Sequence, residues 1–213
     1  MKLYLSSYFF GKSPEKLINL IEPGKKVAVV MNAGDIYGDE KRPAYLSKEV
    51  EKFQQFSIVA EELDLRTYFD DGAGLARKLA EYGAVWVMDG NSFVLRRAMK
   101  YSDFDKLIVP LVQNGSIVYA GFSAGSVIAT KTLKGIELVD DPLQIPPNYN
   151  EEIIWDGLGL VDFSLAPHYK SDHPESAGID KVVAYFEENG IHFKAISDGQ
   201  AIIVSDDQIE IAD

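Results

Sequence analysis

Residues 117–129 have the sequence IVYAGFSAGSVIA, in which an apolar run meets a turn made of small residues. The run from Ile117 to Ala120 is typical of a buried β-strand, and the small residues that follow favour the start of a helix. The turn contains the pattern Gly-x-Ser-x-Gly centred on Ser123, and its two glycines let a strand and a helix approach closely. This stretch therefore predicts a strand, a sharp turn and a helix, with the hydroxyl of Ser123 lifted out of the sheet at the turn.

A short apolar run followed by a longer helical pattern recurs along the chain on both sides of this turn. Apolar, β-rich runs predict strands at residues 2–6, 27–31, 57–64, 84–88, 117–120, 160–166, 193–197, 201–204 and 209–211. Helical periodicity predicts helices at residues 14–21, 43–56, 75–82, 93–100, 103–114 and 174–188. Such alternation is typical of βαβ units, in which helices cover both faces of a parallel sheet. We therefore expect an α/β fold, a three-layer sandwich around a mainly parallel sheet, in a single domain spanning residues 1–213.

The composition excludes several classes of partner and site. The chain has 213 residues, with 21 Lys and Arg against 33 Asp and Glu and a formal net charge of -12. A surface this acidic repels phosphate groups, so nucleic acids and anionic membranes are poor partners. The absence of cysteine excludes a disulfide framework, a thiolate metal site and a cysteine nucleophile.

The N-terminal residues 1–10 are apolar, which raises the question of a secretory signal. The run is short, contains polar residues and is followed by Lys12 and a helical pattern rather than by a small-residue cleavage site. No stretch approaches the ~20 apolar residues of a membrane span. We interpret these residues as the first strand of a cytoplasmic protein.

A serine hydroxyl needs a base before it acts as a nucleophile, and the usual base is histidine. The chain has three histidines. His168 follows the apolar run 160–166, so it is expected at the end of a strand, on the carboxyl edge of the sheet that also presents Ser123. His173 is typical of a helix cap or a solvated loop, and His192 of a turn. We therefore predict His168 as the base, with His173 as the alternative.

An acid that orients the histidine is expected between Ser123 and His168, because α/β enzymes with this type of turn use the chain order Ser, acid, His. Residues 135–159 form a long irregular stretch in that interval, and loops of this length are usually functional or mobile. Glu137 has the least polar surroundings, where a carboxylate needs a partner. We predict Glu137 as the acid, with Asp140 and Asp141 as alternatives.

A second turn, Asp89-Gly90-Asn91, follows the strongest predicted strand and opens another helix. Taken alone, it is typical of a tight turn with Asn91 or Ser92 as the helix cap. Its glycine could also present a backbone N–H to a reacting carbonyl. Beside the turn at Ser123, we predict the amides of Gly90 and Ala124 as the two donors of an oxyanion hole.

Three blocks of sequence together resemble the peptidase E (aspartyl dipeptidase) family of serine peptidases, to which cyanophycinase is related. The first is WVMDGNSF at 86–93, where the family pattern is G-G-N-T-F. The second is GFSAGS at 121–126, and the third is LGLVDF at 158–163, which leads to Pro167-His168-Tyr169. Weaker agreement occurs at 198–201. The sequence departs from the family at Asp89, which replaces the first glycine and puts a carboxylate beside the predicted oxyanion hole.

The resemblance implies a fold like that of the class I glutamine amidotransferases, which is flavodoxin-like. It implies Ser123 as the nucleophile, His168 as the base and the Gly90 and Ala124 amides as the oxyanion hole. It also implies hydrolysis of short peptides, with dipeptides that carry an N-terminal aspartate as the preferred substrates. No metal or organic cofactor is expected for this chemistry.

Recognition of an aspartate side chain by an acidic protein requires a local positive charge, for which Arg96, Arg97, Lys131 and Lys170 are the candidates. Two other functions use the same turn: an esterase or amidase for another acyl substrate, and a catalytically silent binding protein on the same scaffold. Whether the chain forms a homo-oligomer is left open by the sequence.

Overall fold

The computed structural model describes residues 1–38, 40–206 and 208–213, and nine strands are assigned within them. They are β1 Lys2–Ser6, β2 Lys26–Val30, β3 Ala60–Glu62, β4 Tyr82–Val87, β5 Val118–Phe122, β6 Ser164–Ala166, β7 Phe193–Ala195, β8 Ala201–Ser205 and β9 Gln208–Ala212. Seven strands form one sheet in the order β3-β2-β4-β5-β1-β8-β9, and β6 and β7 form a separate parallel pair. The first five strands of this sheet are parallel, whereas β8 runs antiparallel to β1 and β9 antiparallel to β8.

Helices cover both faces of the sheet. They are α1 Pro14–Ile18, α2 Arg42–Gln54, α3 Gly72–Leu79, α4 Ser92–Tyr101, α5 Phe104–Gln113, α6 Ala124–Val127 and α7 Ser176–Glu188, with short 3-10 helices at Asn32–Tyr37, Leu65–Tyr68 and Ile136–Leu138. Leu17 of α1 and Phe53 of α2 pack on one face, and residues of α3, α4, α5 and α7 pack on the other. The predicted three-layer, mainly parallel α/β fold is confirmed. None of the helices in the described ranges is long and apolar enough to cross a bilayer.

The continuous apolar runs form strands because both faces of the sheet are buried. One core contains Val27, Val29, Ala84, Trp86, Val118 and Ala120, and the other contains Ala28, Val30, Val85, Val87 and Tyr119. Successive side chains of a strand point to opposite faces, so a strand between two helical layers needs apolar residues at every position. Burial of each large apolar side chain stabilises the fold by roughly 1.5–3 kcal/mol.

Several element ends differ from the predictions. Helix α1 ends at Ile18 rather than residue 21, and Ser13 does not cap it, because the Ser13 hydroxyl donates to the carbonyl of Asp213 at 2.6 Å. Tyr82 begins β4 instead of ending α3, since its ring is buried and its hydroxyl donates to Glu61. Helix α5 continues through Pro110, with buried residues on both sides of it. Residues 135–159 are irregular apart from one 3-10 turn, as predicted.

The topology brings four chain segments to one edge of the sheet. Strands β1, β4 and β5 are parallel neighbours, so their carboxyl ends lie together. The first residue of β8 joins them from the opposite direction, because Ala201 pairs with Ser6 at the end of β1. The turns that follow β4 and β5, and the turn that precedes β8, therefore meet at this edge.

Candidate active site

The turn at Ser123 has the strained geometry that the sequence predicts. Ser123 has φ 49° and ψ -118°, a backbone conformation that residues other than glycine rarely adopt. Its N–H lies within hydrogen-bond distance of the carbonyls of Ser6 and Ser7, at 3.3 Å and 3.2 Å. A Cβ atom at Gly125 would lie 2.1 Å from the carbonyl oxygen of Val87, so only glycine lets α6 approach β4 this closely. The strain at Ser123 is thus held in place by β1 on one side and β4 on the other.

His168 lies against the hydroxyl of Ser123. The distance from its Nε2 to Ser123 Oγ is 3.0 Å, although the two residues are 45 positions apart in the chain. His168 follows β6 by two residues, its backbone is left-handed with φ 60°, and it is fully buried. The structure therefore brings together the two residues that the sequence suggested as nucleophile and base.

The carboxylate that contacts His168 belongs to Asp198 and not to Glu137. Asp198 Oδ1 lies 2.7 Å from His168 Nδ1. Ser7 braces the pair, because its hydroxyl donates to Asp198 Oδ1 at 2.7 Å and accepts the backbone N–H of His168 at 2.7 Å. When the Asp198 carboxylate accepts a hydrogen bond from Nδ1–H, the proton of the neutral imidazole stays on Nδ1, and Nε2 is free to accept a proton from Ser123.

The three acids suggested from the sequence are occupied elsewhere. Glu137 accepts the backbone N–H of Gly135 at 2.6 Å, Asp140 accepts that of Ser92 at 2.8 Å, and Asp141 accepts that of Leu143 at 2.9 Å. The structure thus corrects the suggested acid from Glu137 to Asp198 as the partner of His168.

Asp198 follows His168 in the chain, whereas the chain order Ser, acid, His predicts the acid between Ser123 and His168. The antiparallel direction of β8 explains where it lies: the residue just before an antiparallel strand comes to the same edge as the residues just after the parallel strands. The sequence does contain a signal, since Asp198-Gly199 is a turn directly before the apolar run 201–204.

The two predicted oxyanion donors differ in their present hydrogen bonding. The N–H of Ala124 begins α6, and no acceptor for it is found among the residues that the structure describes. Gly90 follows β4, whose Val87 pairs with Gly121 of β5, so the two turns are neighbours. The N–H of Gly90 donates to Asp89 Oδ1 at 2.6 Å. Gly90 has φ 138°, which only glycine adopts readily.

Asn91 acts as the helix cap that the sequence suggested for this turn. Its side-chain oxygen accepts the N–H groups of Phe93 and Val94 at the start of α4. Its amide nitrogen donates to the carbonyl of Asp141 and to Gln144, which tethers the irregular stretch 135–159 to the turn. The turn can therefore cap helix α4 and also present an oxyanion donor, because the cap uses the Asn91 side chain and the donor is the Gly90 amide.

His173 stacks on the ring of His168. The ring centroids are 3.7 Å apart and the planes differ by 8°, and Tyr8 meets both rings edge-on. Burial lowers the pKa of His168 below its ordinary value. The hydrogen bond that His168 donates to Asp198 opposes this effect, and the electrostatic effect of His173 adds to it. His168 is therefore neutral, and able to accept a proton, at a lower pH than a free histidine.

One group of potential metal ligands occurs among the described residues. Atoms of His168, His173 and Glu175 lie within 4.8 Å of one another. A histidine binds a metal in the plane of its ring, and the planes of these two stacked rings run parallel. Their lone pairs do not converge on one point, so the arrangement as it stands serves the Ser123 contact rather than a metal ion.

Two carboxyl groups line a small cavity beside Ser123. The cavity is bounded by Ser123, Ala124, Pro167, Asp140 and Glu175, among others. Burial raises the pKa of Asp140 to about 6. Burial, and then the charges of Asp89, Asp140 and Asp198, raise the pKa of Glu175 to about 7. Both groups are consequently able to carry a proton in weakly acidic solution.

A larger cavity of about 320 Å³ lies on the other side of the turn at Gly90. Its lining is mainly aromatic and apolar, with Asp89, Lys41 and Arg42 as the charged members: Tyr8, Phe9, Met31, Tyr37, Tyr45, Met88 and Phe122 form most of the wall. Arg42 is held by Asp35 and by Glu62 at 2.5 Å. The cavity is large enough for a side chain or a short peptide segment.

The four cations suggested from the sequence do not line either cavity. Arg96 pairs with Asp105 at 2.8 Å, and Arg97 donates to three backbone carbonyls of the stretch 135–159. Lys170 lies over the ring of Tyr169 at 4.9 Å, and Lys131 lines a separate surface pocket. The cavity beside Ser123, of about 10 Å³, is therefore bordered by carboxyl groups rather than by these cations.

Comparison with known proteins gives the family. Residues 11–212 match the model of Peptidase family S51. An uncharacterized peptidase of Listeria innocua is 29% identical over 87% of this chain and 83% of its own length. Peptidase E of Streptomyces coelicolor is 31% identical over 68% of this chain and 58% of its own length. A protein of Drosophila melanogaster named "Probable alpha-aspartyl dipeptidase" is 28% identical over 59% of this chain and 51% of its own length.

Solved structures agree with this assignment. A crystal structure from Listeria monocytogenes, described as a peptidase E protein, superposes with a TM-score of 0.79 and 26% identity, covering 99% of this chain and 97% of the other. The resemblance to peptidase E in the sequence is thereby confirmed. Because the family model covers nearly the whole chain and the relatives are peptidases, the chain belongs to Peptidase family S51.

Proposed function

We propose that this peptidase is a serine hydrolase that cleaves short peptides, with Ser123 as the nucleophile, His168 as the base and Asp198 as the residue that orients His168. The observation that supports this most directly is the continuous chain of contacts from Ser123 Oγ to His168 Nε2 at 3.0 Å and from His168 Nδ1 to Asp198 at 2.7 Å. This is the arrangement that activates a serine in unrelated hydrolases.

In the proposed reaction, Ser123 Oγ attacks the peptide carbonyl while His168 Nε2 accepts its proton. The amide of Ala124, and that of Gly90 once it is released from Asp89, stabilise the negative charge on the carbonyl oxygen. His168 then gives the proton to the leaving amine, and an acyl group remains on Ser123. Water, activated by His168, releases the acyl group and restores the serine.

Dipeptides are the proposed substrates, and those with an N-terminal aspartate are the first to test. The resemblance to peptidase E implies this preference, and the printed name of the Drosophila relative states it for that protein. The carboxyls proposed to meet the aspartate are Asp140 and Glu175. They border a cavity of only about 10 Å³ beside Ser123, so the aspartate is proposed to lie at the mouth of this cavity and to accept hydrogen bonds from their protonated forms. Cleavage of Asp-X relative to Ala-X dipeptides should therefore increase as the pH falls from 8 to 5.

Labelling with a fluorophosphonate tests the nucleophile, and a panel of Asp-X dipeptides, other dipeptides and short acyl esters tests the substrate. We expect wild-type protein to be labelled and Ser123→Ala not to be labelled. Ser116→Ala, at an exposed turn, serves as a control that keeps normal labelling. Peptide hydrolysis that persists in Ser123→Ala would exclude the proposed nucleophile. Ester cleavage without peptide cleavage would favour the esterase, and no labelling at all would favour a silent scaffold.

A further inference from the structure

Asp89 is a half-buried carboxylate at the entrance to the oxyanion hole. Its side chain accepts the backbone N–H of Gly90 at 2.6 Å. In the described part of the chain, no Lys, Arg or His forms an ion pair with it, although Lys41 and Arg42 line the same cavity. Arg42 is occupied by Asp35 and Glu62. A partly desolvated carboxylate without a counter-ion is costly to hold, which makes it a suitable place for a cation from a ligand.

The charge of Asp89 acts on the whole site. Burial is the main reason that the pKa of Glu175 is raised, and the charge of Asp89 is the next largest. The charge of Asp89 also raises the pKa of Tyr8. Asp89 therefore lies close to Tyr8 and Glu175, which border the site around Ser123. A cation bound at Asp89 would therefore lie beside the reacting atoms.

The N-terminal residue of a peptide carries such a cation at the required place. In an amino acid the α-nitrogen is separated from its own carbonyl carbon by one Cα atom, a distance of about 2.5 Å from standard bond lengths and angles. When that carbonyl points its oxygen at the Gly90 and Ala124 amides, the α-nitrogen of the same residue lies within reach of the neighbouring Asp89. An internal peptide nitrogen or an acetylated one carries no charge and gains no ion pair there.

We propose that Asp89 binds the α-ammonium group of the peptide's N-terminal residue, and that this contact draws the carboxylate away from Gly90 and frees the Gly90 N–H for the carbonyl oxygen. The inference rests on the proposed function, since it assigns the free amino terminus as the feature by which this site recognises its substrate. Without an ammonium group, the carboxylate stays on Gly90 and Ala124 alone faces the oxyanion.

Peptides with a free amino terminus should therefore react faster than blocked ones, and the size of this difference in kcat can be stated. Loss of one oxyanion donor reduces kcat by roughly 10² to 10³ in serine hydrolases. N-acetylated dipeptides and simple acetyl esters should therefore react slowly with wild-type protein, even where their side chains fit.

The proposal is tested by measuring how Asp89→Gly and Asp89→Asn change the rates for a substrate with an ammonium group and for one without it. For a free dipeptide we expect kcat/KM to fall at least tenfold in both variants. For p-nitrophenyl acetate, which has no ammonium group, we expect the rate to rise at least tenfold in Asp89→Gly, because the Gly90 N–H is no longer occupied. Asp172→Asn removes the same charge from an exposed loop residue near His173 and should change neither rate more than twofold. Equal losses on both substrates, or an unchanged preference for the free amino terminus, would overturn the proposal.

Binding to Ser123→Ala separates this proposal from the proposed function. We expect a free dipeptide to bind at least tenfold more tightly than its N-acetyl derivative in calorimetry, and the difference to disappear when Asp89→Asn is added. If the difference persists in the double variant, Asp89 is not the ammonium site. Failure of fluorophosphonate labelling, by contrast, would reject Ser123 as the nucleophile while the binding comparison still decides the role of Asp89.

Discussion

At the scale of single residues, the sequence suggested the pair Ser123 and His168 but not the acid. The pair could be found because a glycine-flanked serine after a strand and a histidine after another strand are local patterns. Asp198 could not be found in this way, because it reaches His168 only through the antiparallel return of β8 to the end of β1. Its role depends on topology, which local sequence does not contain.

Replacement of Asp198 tests which carboxylate orients the histidine. We expect Asp198→Asn to lower kcat for a cleaved dipeptide by roughly 10² to 10⁴, because the amide favours the wrong tautomer of His168. KM should change little. The matched control is Glu137→Gln, whose carboxylate accepts only a local backbone N–H and should retain kcat within about twofold. The reverse pattern, with a large loss in Glu137→Gln, would restore Glu137 as the acid.

The pH dependence of activity reports the surroundings of His168. Burial and His173 lower the pKa of His168. The midpoint of the rise of kcat/KM with pH should therefore lie below about 6.5, the ordinary pKa of histidine. In His173→Phe an aromatic ring keeps the stacking but removes the electrostatic effect of the imidazole on His168. The pKa of His168 should then rise, and the acidic limb should move to higher pH by up to about one unit. A shift to lower pH would contradict this account of the stacked pair.

At the scale of elements, the sequence predicted the sheet and the turn better than the ends of the helices. The buried strands were clear, because only a strand covered on both faces is apolar at every position. The separate pairing of β6 with β7, which presents His168, had no distinct signal: both runs look like strands of the main sheet. Helix ends such as that of α1 depend on contacts with distant residues, among them the one between Ser13 and Asp213.

The close packing of the nucleophile turn can be tested by adding one methyl group. Gly125→Ala would place a Cβ atom 2.1 Å from the Val87 carbonyl oxygen, so α6 would have to move away from β4. We expect a loss of about 1–3 kcal/mol in the free energy of urea unfolding. We also expect slower fluorophosphonate labelling, since Ser123 moves with the turn. In the control Gly34→Ala, the new atom meets only the Tyr37 ring at 3.7 Å, an ordinary contact, and stability should be nearly unchanged.

At the scale of the whole molecule, the sheet joins both ends of the chain. Strand β1 lies between β5 and β8, so residues 2–6 pair with residues 118–122 on one side and 201–205 on the other. We propose on this basis that residues 1–213 unfold as one domain. Circular dichroism and tryptophan fluorescence should give the same urea midpoint, because Trp86 lies in the central strand and Trp155 packs on Phe93 of α4. Two separate transitions would indicate independent units.

The buried carboxyl of Asp140 should also reduce the stability of the whole molecule as the pH rises from about 4 to above 6. The folded-state pKa of Asp140, about 6, lies above its ordinary value of 3.8, so folding favours the protonated form. The resulting cost is absent below the ordinary pKa, grows as the pH rises and is complete above the folded pKa. Each pKa unit corresponds to about 1.36 kcal/mol, so a rise from 3.8 to about 6 costs at most about 3 kcal/mol.

Comparison of Asp140→Asn with wild type isolates this cost from that of other groups. Neutral His168 acts in the opposite direction, since its lowered pKa makes the fold more stable as the pH rises through the ordinary histidine value. This effect of His168 is the same in wild type and in Asp140→Asn, so it cancels when the two stabilities are compared. We expect the two proteins to have similar urea midpoints near pH 3.5, below the ordinary pKa of Asp140, and the variant to be more stable at pH 8. Asp141→Asn, which removes the neighbouring exposed carboxylate, should show no such difference. If Asp140→Asn is equally destabilised at both pH values, folding does not raise the pKa of Asp140, and the proposed hydrogen bond from its protonated form to a substrate aspartate fails as well.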